Sequence, residues 1–330
     1  MLFMQKGRFF TMAKHLIKRT DTPNSMPIGT AFEEFISQKE AQNKAASTLR
    51  NYRQSYNFFM EYHDLSDDTL LSEITAAHFY QWANHLKLDA VRISSINHYL
   101  RDVRTFFYWC MDIDRGYIEK RFKIEEVKGQ EELPKMFTDE ELELLLVKPR
   151  HNDNFSIWRT WAIVNWVLAT GNRASTICNV KVTDIDYKKN EITLAHTKNR
   201  KAQVIPLSNS LATILKEYTR IFKLSHWLFP NIETEQLTTG ALAHAFNRYC
   251  KERGVSHTNI HGLRHNFAKI WIRNNGNHFT LQRMLGHATL DMTRHYVKLF
   301  TEDMKEDFDK YNPLDTIKKG SRRTNKIDRY

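Results

Sequence analysis

The sequence has few of the residues that cross-link chains or interrupt helices. Its 330 residues include three cysteines, eleven glycines and seven prolines. Cys110, Cys178 and Cys250 lie far apart and form no CxxC pair, which argues against a disulfide framework and a cysteine zinc site. No stretch approaches the roughly 20 consecutive apolar residues of a membrane span. These scarcities predict a helix-rich cytoplasmic protein without a membrane partner.

The chain carries an excess of basic residues. There are 49 lysines and arginines against 38 aspartates and glutamates, which gives a formal net charge of +11 at pH 7. Hydrophobic residues make up 41% and charged residues 26%, the balance of a folded globular protein rather than a disordered one. Because basic side chains release condensed counterions when they neutralise phosphates, this charge favours a polyanionic partner. Charge alone does not distinguish nucleic acid from a membrane surface.

Composition along the chain predicts two domains with basic extensions. The length exceeds that of one ordinary hydrophobic core. Residues 119–135 are charged and poor in aromatics, and Pro134 lies near their end, which is typical of a linker. We predict a basic arm at 1–27, a helical domain at 28–118, the linker at 119–135, a second domain at 136–312 and a basic tail at 313–330.

The first domain has apolar residues at helical spacing. Phe32, Phe35 and Ile36 share one predicted face, and Thr48 precedes another amphipathic run as a candidate N-cap. Basic residues on these helices are candidates for a DNA-binding surface, namely Lys44, Arg50, Arg53, Arg92, Arg101 and Arg104. For each of them, the alternative is a merely solvated helix face.

The second domain begins with a capping box and contains the one convincing β region. Thr138 and Glu141 have the spacing at which each side chain reaches the other's amide. A strongly apolar helix from residue 157 to 169 ends at Gly171, a candidate left-handed cap, so Arg173 projects from a sharp turn. Two short β-prone runs, 191–196 and 201–206, predict a hairpin that carries Lys198.

Further along, histidine, arginine and tyrosine recur within a short stretch. The runs are His261-Gly-Leu-Arg264-His265, Leu285-Gly-His287 and Arg294-His-Tyr296. His261 and Arg264 are three residues apart, so one helix face would present both to the same phosphate. His261 and His265 are spaced so that they could share a metal ion. However, no glutamate follows in the HExxH form and the sequence offers no obvious third ligand, so we predict no metal and no cofactor.

These groups suit the breakage of a phosphodiester bond without a metal. Such a reaction needs an oxygen nucleophile, cations around the phosphorane and a proton for the leaving hydroxyl. Arg173 and Arg264 can each bind two phosphate oxygens and stay charged, and Lys198 can protonate the leaving group. His287 can donate a hydrogen bond to the phosphate. Tyr296 is the candidate nucleophile, because nearby cations would lower the pKa of its hydroxyl.

The order of these motifs resembles that of the tyrosine recombinase, or phage integrase, family. The resemblance includes Gly171-Asn-Arg173, Lys198 ahead of Val204-Ile-Pro-Leu207 and the three runs from His261 to Tyr296. It implies that Arg173, Lys198, His261, Arg264, His287 and Tyr296 are the catalytic residues. It also implies a mainly α, two-domain C-shaped DNA clamp with a small β-hairpin or sheet. The helical region would be the core-binding domain and the mixed α+β region the catalytic domain.

By the same resemblance, the protein would be a site-specific recombinase that forms a 3′-phosphotyrosyl intermediate. We expect recombination sites in double-stranded DNA as its substrate, a homotetramer in the synaptic complex, a monomer free in solution and a place on the nucleoid. Accessory DNA-bending or directionality proteins are further candidate partners. Integration or excision of a mobile element is the favoured role.

Two departures from the family pattern keep alternatives open. Thr176 stands where the family often has an acid, and Gln203 stands where it often has an arginine before the strand. An inactive DNA-binding accessory protein is therefore one alternative. A chromosome or plasmid dimer resolvase and a type IB topoisomerase, which uses the same chemistry on one duplex, are the others.

Overall fold

The computed structural model describes residues 26–112, 115–129, 134–195 and 202–286. These residues fall into two compact units, one on each side of the boundary between positions 131 and 132. Helices dominate both units, and the described strands form one small sheet in the second. The predicted fold class, mainly helical with a small β element, is confirmed. Among the described helices, none is both long and apolar enough to cross a membrane.

Four α-helices build the first unit. They are α1 (Ile28–Ala41), α2 (Ala46–Tyr62), α3 (Ala76–Leu88) and α4 (Ile93–Cys110), with a 3-10 turn at Leu71–Glu73. Their core is aromatic, as the predicted face suggested: Phe32 stacks on Tyr56 with 3.7 Å between ring centroids, and Phe106 meets Phe32 edge-on.

The prediction that Thr48 is the N-cap of the next helix is wrong. The chain turns into α2 at Ala45, and Thr48 donates its amide to the Ala45 carbonyl within the first turn.

The first part of the predicted linker packs onto the first unit. Ile124 is buried with the aromatic core, and its amide donates to the Tyr108 hydroxyl at 3.1 Å. Asn97 holds Val127 from both sides, since its Nδ2 donates to the Val127 carbonyl and its Oδ1 accepts from the Val127 amide. The charged composition concealed these hydrogen bonds, because the segment makes them with main-chain groups, which composition does not show.

The second unit is arranged around a central helix. Its helices are α5 (Asp139–Leu146), α6 (Phe155–Thr170), α7 (Ala174–Ile177), α8 (Asn209–Ile221), α9 (Thr239–Glu252), α10 (His261–Arg273) and α11 (His278–Leu285). Helix α6 contacts α5, α8, α9 and α10, which explains why it is apolar nearly all round. Trp166 and Val167 are among the side chains that this packing buries.

A three-stranded antiparallel sheet lies beside these helices. Its strands are β1 (Ile185–Asp186), β2 (Glu191–Leu194) and β3 (Gln203–Pro206), paired in that order. The pair Leu194 and Gln203 ends the β2–β3 ladder, and the predicted hairpin strands are thereby confirmed with slightly shorter bounds. Ile192, Leu194 and Ile205 point into the core, as alternation along a strand requires.

The predicted capping box at the start of the second unit is present. The Thr138 hydroxyl accepts from the Glu141 amide at 3.2 Å, and Glu141 Oε2 accepts from the Thr138 amide at 3.0 Å. Each contact satisfies an amide that the first turn of α5 would otherwise leave without a helix partner.

The substitution Thr138→Ala should lower the free energy of unfolding by about 1 kcal/mol, because it removes the capping oxygen. A matched control is Thr213→Ala in α8, where the exposed hydroxyl bonds only to the Asn209 carbonyl of its own helix. That control should change stability by less than about 0.5 kcal/mol, since alanine is the better helix former. Urea unfolding measures both, and equal losses would contradict the cap assignment.

Candidate active site

The first predicted arginine lies where α6 ends and α7 begins. Gly171 caps α6 in the left-handed conformation, with φ of 65°, and Arg173 occupies the N-cap position of α7. Glycine is needed at this turn for a second reason. A Cβ at residue 171 would lie 2.5 Å from Phe267 Cδ1 and 2.8 Å from Leu285 Cδ2. The end of α6 therefore approaches α10 and α11 more closely than any side chain allows.

The second predicted arginine is buried between the ends of two helices. Arg264, in α10, is only 2% exposed. Its Nη1 donates to the Gly171 carbonyl at 2.6 Å and its Nη2 donates to the Leu285 carbonyl at 2.9 Å. These carbonyls end α6 and α11, where the partial charges of a helix are negative. The two helix ends thus stabilise a charge that burial alone would disfavour.

The two arginines meet at one carbonyl oxygen. Arg173 Nη1 donates to the Leu285 carbonyl at 3.3 Å, and this oxygen also accepts from Arg264. Residues that are far apart in sequence are therefore brought together, as predicted from their suitability for one phosphate. A guanidinium has five N–H donors, so these carbonyl contacts are compatible with an additional phosphate contact.

His261 lies one helical turn before Arg264, in the first turn of α10. Its side chain reaches the surface, yet its pKa is lowered. The largest cause is desolvation by the surrounding protein, and the positive charges of Arg264 and Arg173 contribute as well. The ring also lies 4.8 Å from that of His265, edge to face. Because the lowered pKa keeps the imidazole neutral at neutral pH, His261 can both donate and accept a hydrogen bond there.

The two departures from the family pattern have structural counterparts. Thr176 is buried in α7, and its amide donates to the Arg173 carbonyl at 2.9 Å. Gln203 begins β3 and donates from Nε2 to the Arg283 carbonyl near the end of α11. The neutral side-chain amide of Gln203 thus joins the sheet to α11, the helix that ends at Leu285, whose carbonyl accepts from both arginines. Sequence reasoning singled out Gln203 only as a departure from the family pattern and missed Leu285, since the sequence does not show which main-chain carbonyls accept.

Three predicted catalytic residues, Lys198, His287 and Tyr296, lie outside the described residues. In sequence, Lys198 falls between β2 and β3, and His287 directly follows Gly286, the left-handed cap of α11. Across the described part of the chain, no group of three or more histidines, cysteines or acids could hold a metal ion. Residues 1–25 of the predicted basic arm and the whole predicted tail also lie outside the described residues, and Pro27, the last residue of the predicted arm, is the N-cap of α1.

The candidate DNA-binding residues lie on or beside three elements of the first unit. Lys44 follows α1, Arg50 and Arg53 are in α2, and Arg92 precedes α4; all are exposed. Arg101 is exposed in α4 and donates to the Asn97 carbonyl. Arg53 pairs with Glu33 at 2.9 Å, and the half-buried Arg104 pairs with Glu126 at 2.8 Å. Such pairs hold two of the six side chains, so contact with DNA would require them to rearrange.

Comparison with known proteins gives the family. Residues 135–303, about half of the chain, match the Phage integrase family. The chain therefore belongs to the phage integrase family of tyrosine recombinases, and the prediction of a tyrosine-type site-specific DNA recombinase is confirmed.

Individual relatives agree along most of the chain. A tyrosine recombinase XerC of Staphylococcus aureus is 27% identical over 278 residues, which cover 81% of this chain and 91% of the relative. The Tn1549 transposon integrase, solved with transposon right end DNA, has a TM-score of 0.67 at 16% identity and covers 87% of this chain and 99% of that one. A lambda integrase tetramer bound to a Holliday junction has a TM-score of 0.65 at 18% identity, covering 83% and 78%. At these identities, the two structures show the shared fold.

We expect Gly171→Ala to be more destabilising than an ordinary glycine replacement. Alanine at a left-handed position costs about 1 kcal/mol, and the close approach to Phe267 and Leu285 should add about 1–3 kcal/mol. Gly254→Ala is the matched control, since Gly254 has φ of 72° but nothing within 4 Å of its added Cβ. The difference between the two free energies of unfolding measures the crowding. A loss at Gly171 no greater than at Gly254 would contradict the close approach.

Proposed function

We propose that this chain cleaves and rejoins DNA at defined sites through a covalent bond between Tyr296 and the 3′ phosphate. The tyrosine oxygen forms the new bond to phosphorus, and the bond to the 5′ oxygen of the next nucleotide breaks. Rejoining reverses the exchange, so the bond energy is retained and no cofactor is consumed. The observation that carries the proposal is the meeting of Arg173 and Arg264 at the Leu285 carbonyl, with His261 one turn away.

The described groups suit the charge that develops during this exchange. Two guanidinium groups that share one acceptor create a region of strongly positive electrostatic potential. This potential attracts a phosphate and stabilises the extra negative charge of the phosphorane. Because the helix ends hold both cations before DNA arrives, little reorganisation is needed when the reaction begins. The effect of these cations on the His261 pKa supports this assignment, since a neutral imidazole can share its proton with the reacting oxygens.

We assign the remaining steps to groups outside the described residues. Lys198 would protonate the departing 5′ oxygen, and His287 would hydrogen-bond the phosphate beside the arginines. Tyr296 would lose its proton more readily near these cations, because positive charge favours the phenolate. The resemblance of motif order is what supports these three assignments.

The proposed substrate is a pair of double-stranded recombination sites held by a homotetramer. Exchange between two duplexes requires four strand cleavages, and the related lambda integrase is a tetramer on a Holliday junction. We propose that the chain is a monomer when free and acts on the nucleoid, with accessory DNA-bending proteins as further partners. The basic residues of α2 and α4 would contact DNA mainly through phosphates.

Integration or excision of a mobile element is the proposed biological role. The similarity to the Tn1549 transposon integrase supports it, and that to the XerC recombinase supports the alternative of a dimer resolvase. Both roles use the same chemistry. An assay with DNA that carries the two ends of a mobile element would distinguish the two roles. An integrase joins such ends to a target, whereas a resolvase recombines two copies of one chromosomal site.

A nicked suicide substrate tests the chemistry. We expect a protease-sensitive protein–DNA adduct without Mg²⁺, and we expect Tyr296→Phe to abolish the adduct while DNA binding persists. Tyr80→Phe is the control, since Tyr80 is an exposed tyrosine of α3 and should form the adduct normally. An adduct that survives in Tyr296→Phe would rule out this nucleophile, and its absence in the parent chain would favour an inactive accessory protein.

Plasmid relaxation separates the recombinase from a topoisomerase. The proposed recombinase should act on plasmids that carry its site much faster than on plasmids without it. Equal relaxation of both would instead indicate a type IB topoisomerase.

A further inference from the structure

One buried asparagine clamps the chain where it enters the second unit. Asn266, in α10, is 2% exposed. Its Oδ1 accepts from the Phe137 amide at 2.9 Å, and its Nδ2 donates to the Phe137 carbonyl at 2.7 Å. A side-chain amide thereby satisfies both main-chain groups of one residue, much as a neighbouring β-strand would. Phe137 cannot move along α10 without losing both hydrogen bonds.

Close packing reinforces this clamp at the first turn of α10. A Cβ at Gly262 would lie 2.9 Å from Phe137 Cε2 and 3.1 Å from the Lys135 carbonyl oxygen. The Phe137 ring also packs on His257, with 4.5 Å between centroids. The segment from Lys135 to Phe137 is therefore fixed to the beginning of α10 by shape as well as by hydrogen bonds.

The clamped helix is the one that carries two candidate catalytic residues. Asn266 follows Arg264 by two positions, which places it about 200° further around the helix. One side of α10 therefore holds the incoming chain, while the other directs Arg264 to the helix ends of the site. A rotation or shift of the helix would change both contacts together, because a helix moves as a rigid element.

An equivalent clamp closes the other end of the linker. Asn97, in α4, binds the amide and the carbonyl of Val127 at 2.8 Å and 3.0 Å. One asparagine thus fixes residue 127 to α4 in the first unit, and the other fixes residue 137 to α10 in the second. Only the second of these helices carries candidate catalytic residues, so the two clamps allow a matched comparison.

We propose that Asn266 is a positioning residue for strand cleavage. By fixing α10 to the chain that arrives from the linker, it sets the position of His261 and Arg264 relative to Arg173. The inference rests on the proposed catalytic roles of His261 and Arg264. It is nevertheless testable without cleavage, because the pKa of His261 is lowered first by desolvation and next by the charges of Arg264 and Arg173, so a displaced ring should have a different pKa.

The experiment compares Asn266→Ala and Asn266→Asp with Asn97→Ala in the full-length chain. DNA affinity, the rate of adduct formation on saturating suicide substrate and the His261 pKa, followed by NMR, are measured for each. An ionised aspartate at position 266 cannot donate to the Phe137 carbonyl, whereas a protonated one regains a donor. Burial raises the pKa of such a carboxyl, so the clamp should return as the pH falls from about 8 to about 5.5.

We expect Asn266→Ala to slow adduct formation about ten- to a hundredfold, with DNA affinity changed less than about threefold. The His261 pKa should move toward its ordinary value. The rate of Asn266→Asp relative to the parent should recover at low pH, whereas that of Asn266→Ala should stay low. The parent is measured at every pH, because His257, Glu141 and Lys135 surround the clamp, and His261 and His265 share α10. Asn97→Ala should keep the parent rate and His261 pKa.

Two results would overturn the proposal. One is a parent-like rate and His261 pKa in a folded Asn266→Ala. The other is an equal loss in Asn97→Ala, which would indicate general destabilisation. If Asn266→Ala does not fold, the pH series of Asn266→Asp decides the question. A rate of adduct formation that stays in constant ratio to that of the parent across the pH series counts against a positioning role. A parent that forms no adduct would instead refute the proposed function, and the His261 titration would still test the clamp.

Discussion

The second unit depends on one buried charge between two helix ends. The Arg264 guanidinium joins the Gly171 carbonyl at the end of α6 to the Leu285 carbonyl at the end of α11. Carbonyls at these positions have no partner within their own helices and carry partial negative charge. The arginine thus satisfies acceptors on two buried residues, and these carbonyls stabilise its charge where burial keeps most water away. Removing it would take the Arg264 donor away from the Gly171 carbonyl and break the link between the two helix ends, while the Leu285 carbonyl would keep its contact with Arg173.

This contact explains several features that otherwise look unrelated. Gly171 must be glycine because the helix ends approach each other closely enough to exclude a Cβ. Arg173 donates to the same Leu285 carbonyl, so its guanidinium, at the start of α7, has a fixed position relative to that of Arg264 in α10. Gln203 ties β3 to the adjacent Arg283 carbonyl. The two candidate phosphate-binding arginines, from separate parts of the chain, therefore share one support, which is what electrostatic preorganisation requires.

Local signals in the sequence were enough to predict much of this fold. The capping box at Thr138, the glycine cap at Gly171 and the hairpin strands each depend on neighbours within a few residues. The errors concern contacts between distant residues. Thr48 looked like a cap because its type suits one, yet the turn begins three residues earlier. Ile124 lies in a charged segment, and its burial depends on helices that the segment meets only after folding.

The candidate site shows the same division. Residue types and motif order were sufficient to select Arg173, His261 and Arg264, and the structure brings these three together. Their supports could not be predicted, because Leu285 contributes only a main-chain oxygen and Asn266 looks like any polar residue within a helix. A side-chain pattern carries information on chemistry, whereas the acceptors that hold the side chains in place depend on tertiary packing.

The most direct measurement of the proposed role of the arginines is cleavage of a substrate whose scissile phosphate is replaced by a neutral methylphosphonate. If Arg173 serves mainly to neutralise charge, Arg173→Ala should lose about 10²–10³ in rate on the phosphate and little on the methylphosphonate. Arg264→Ala should remain impaired on both, because it also joins α6 to α11. An Arg173→Ala equally impaired on both substrates, or an Arg264→Ala fully restored by the neutral one, would contradict this division of roles.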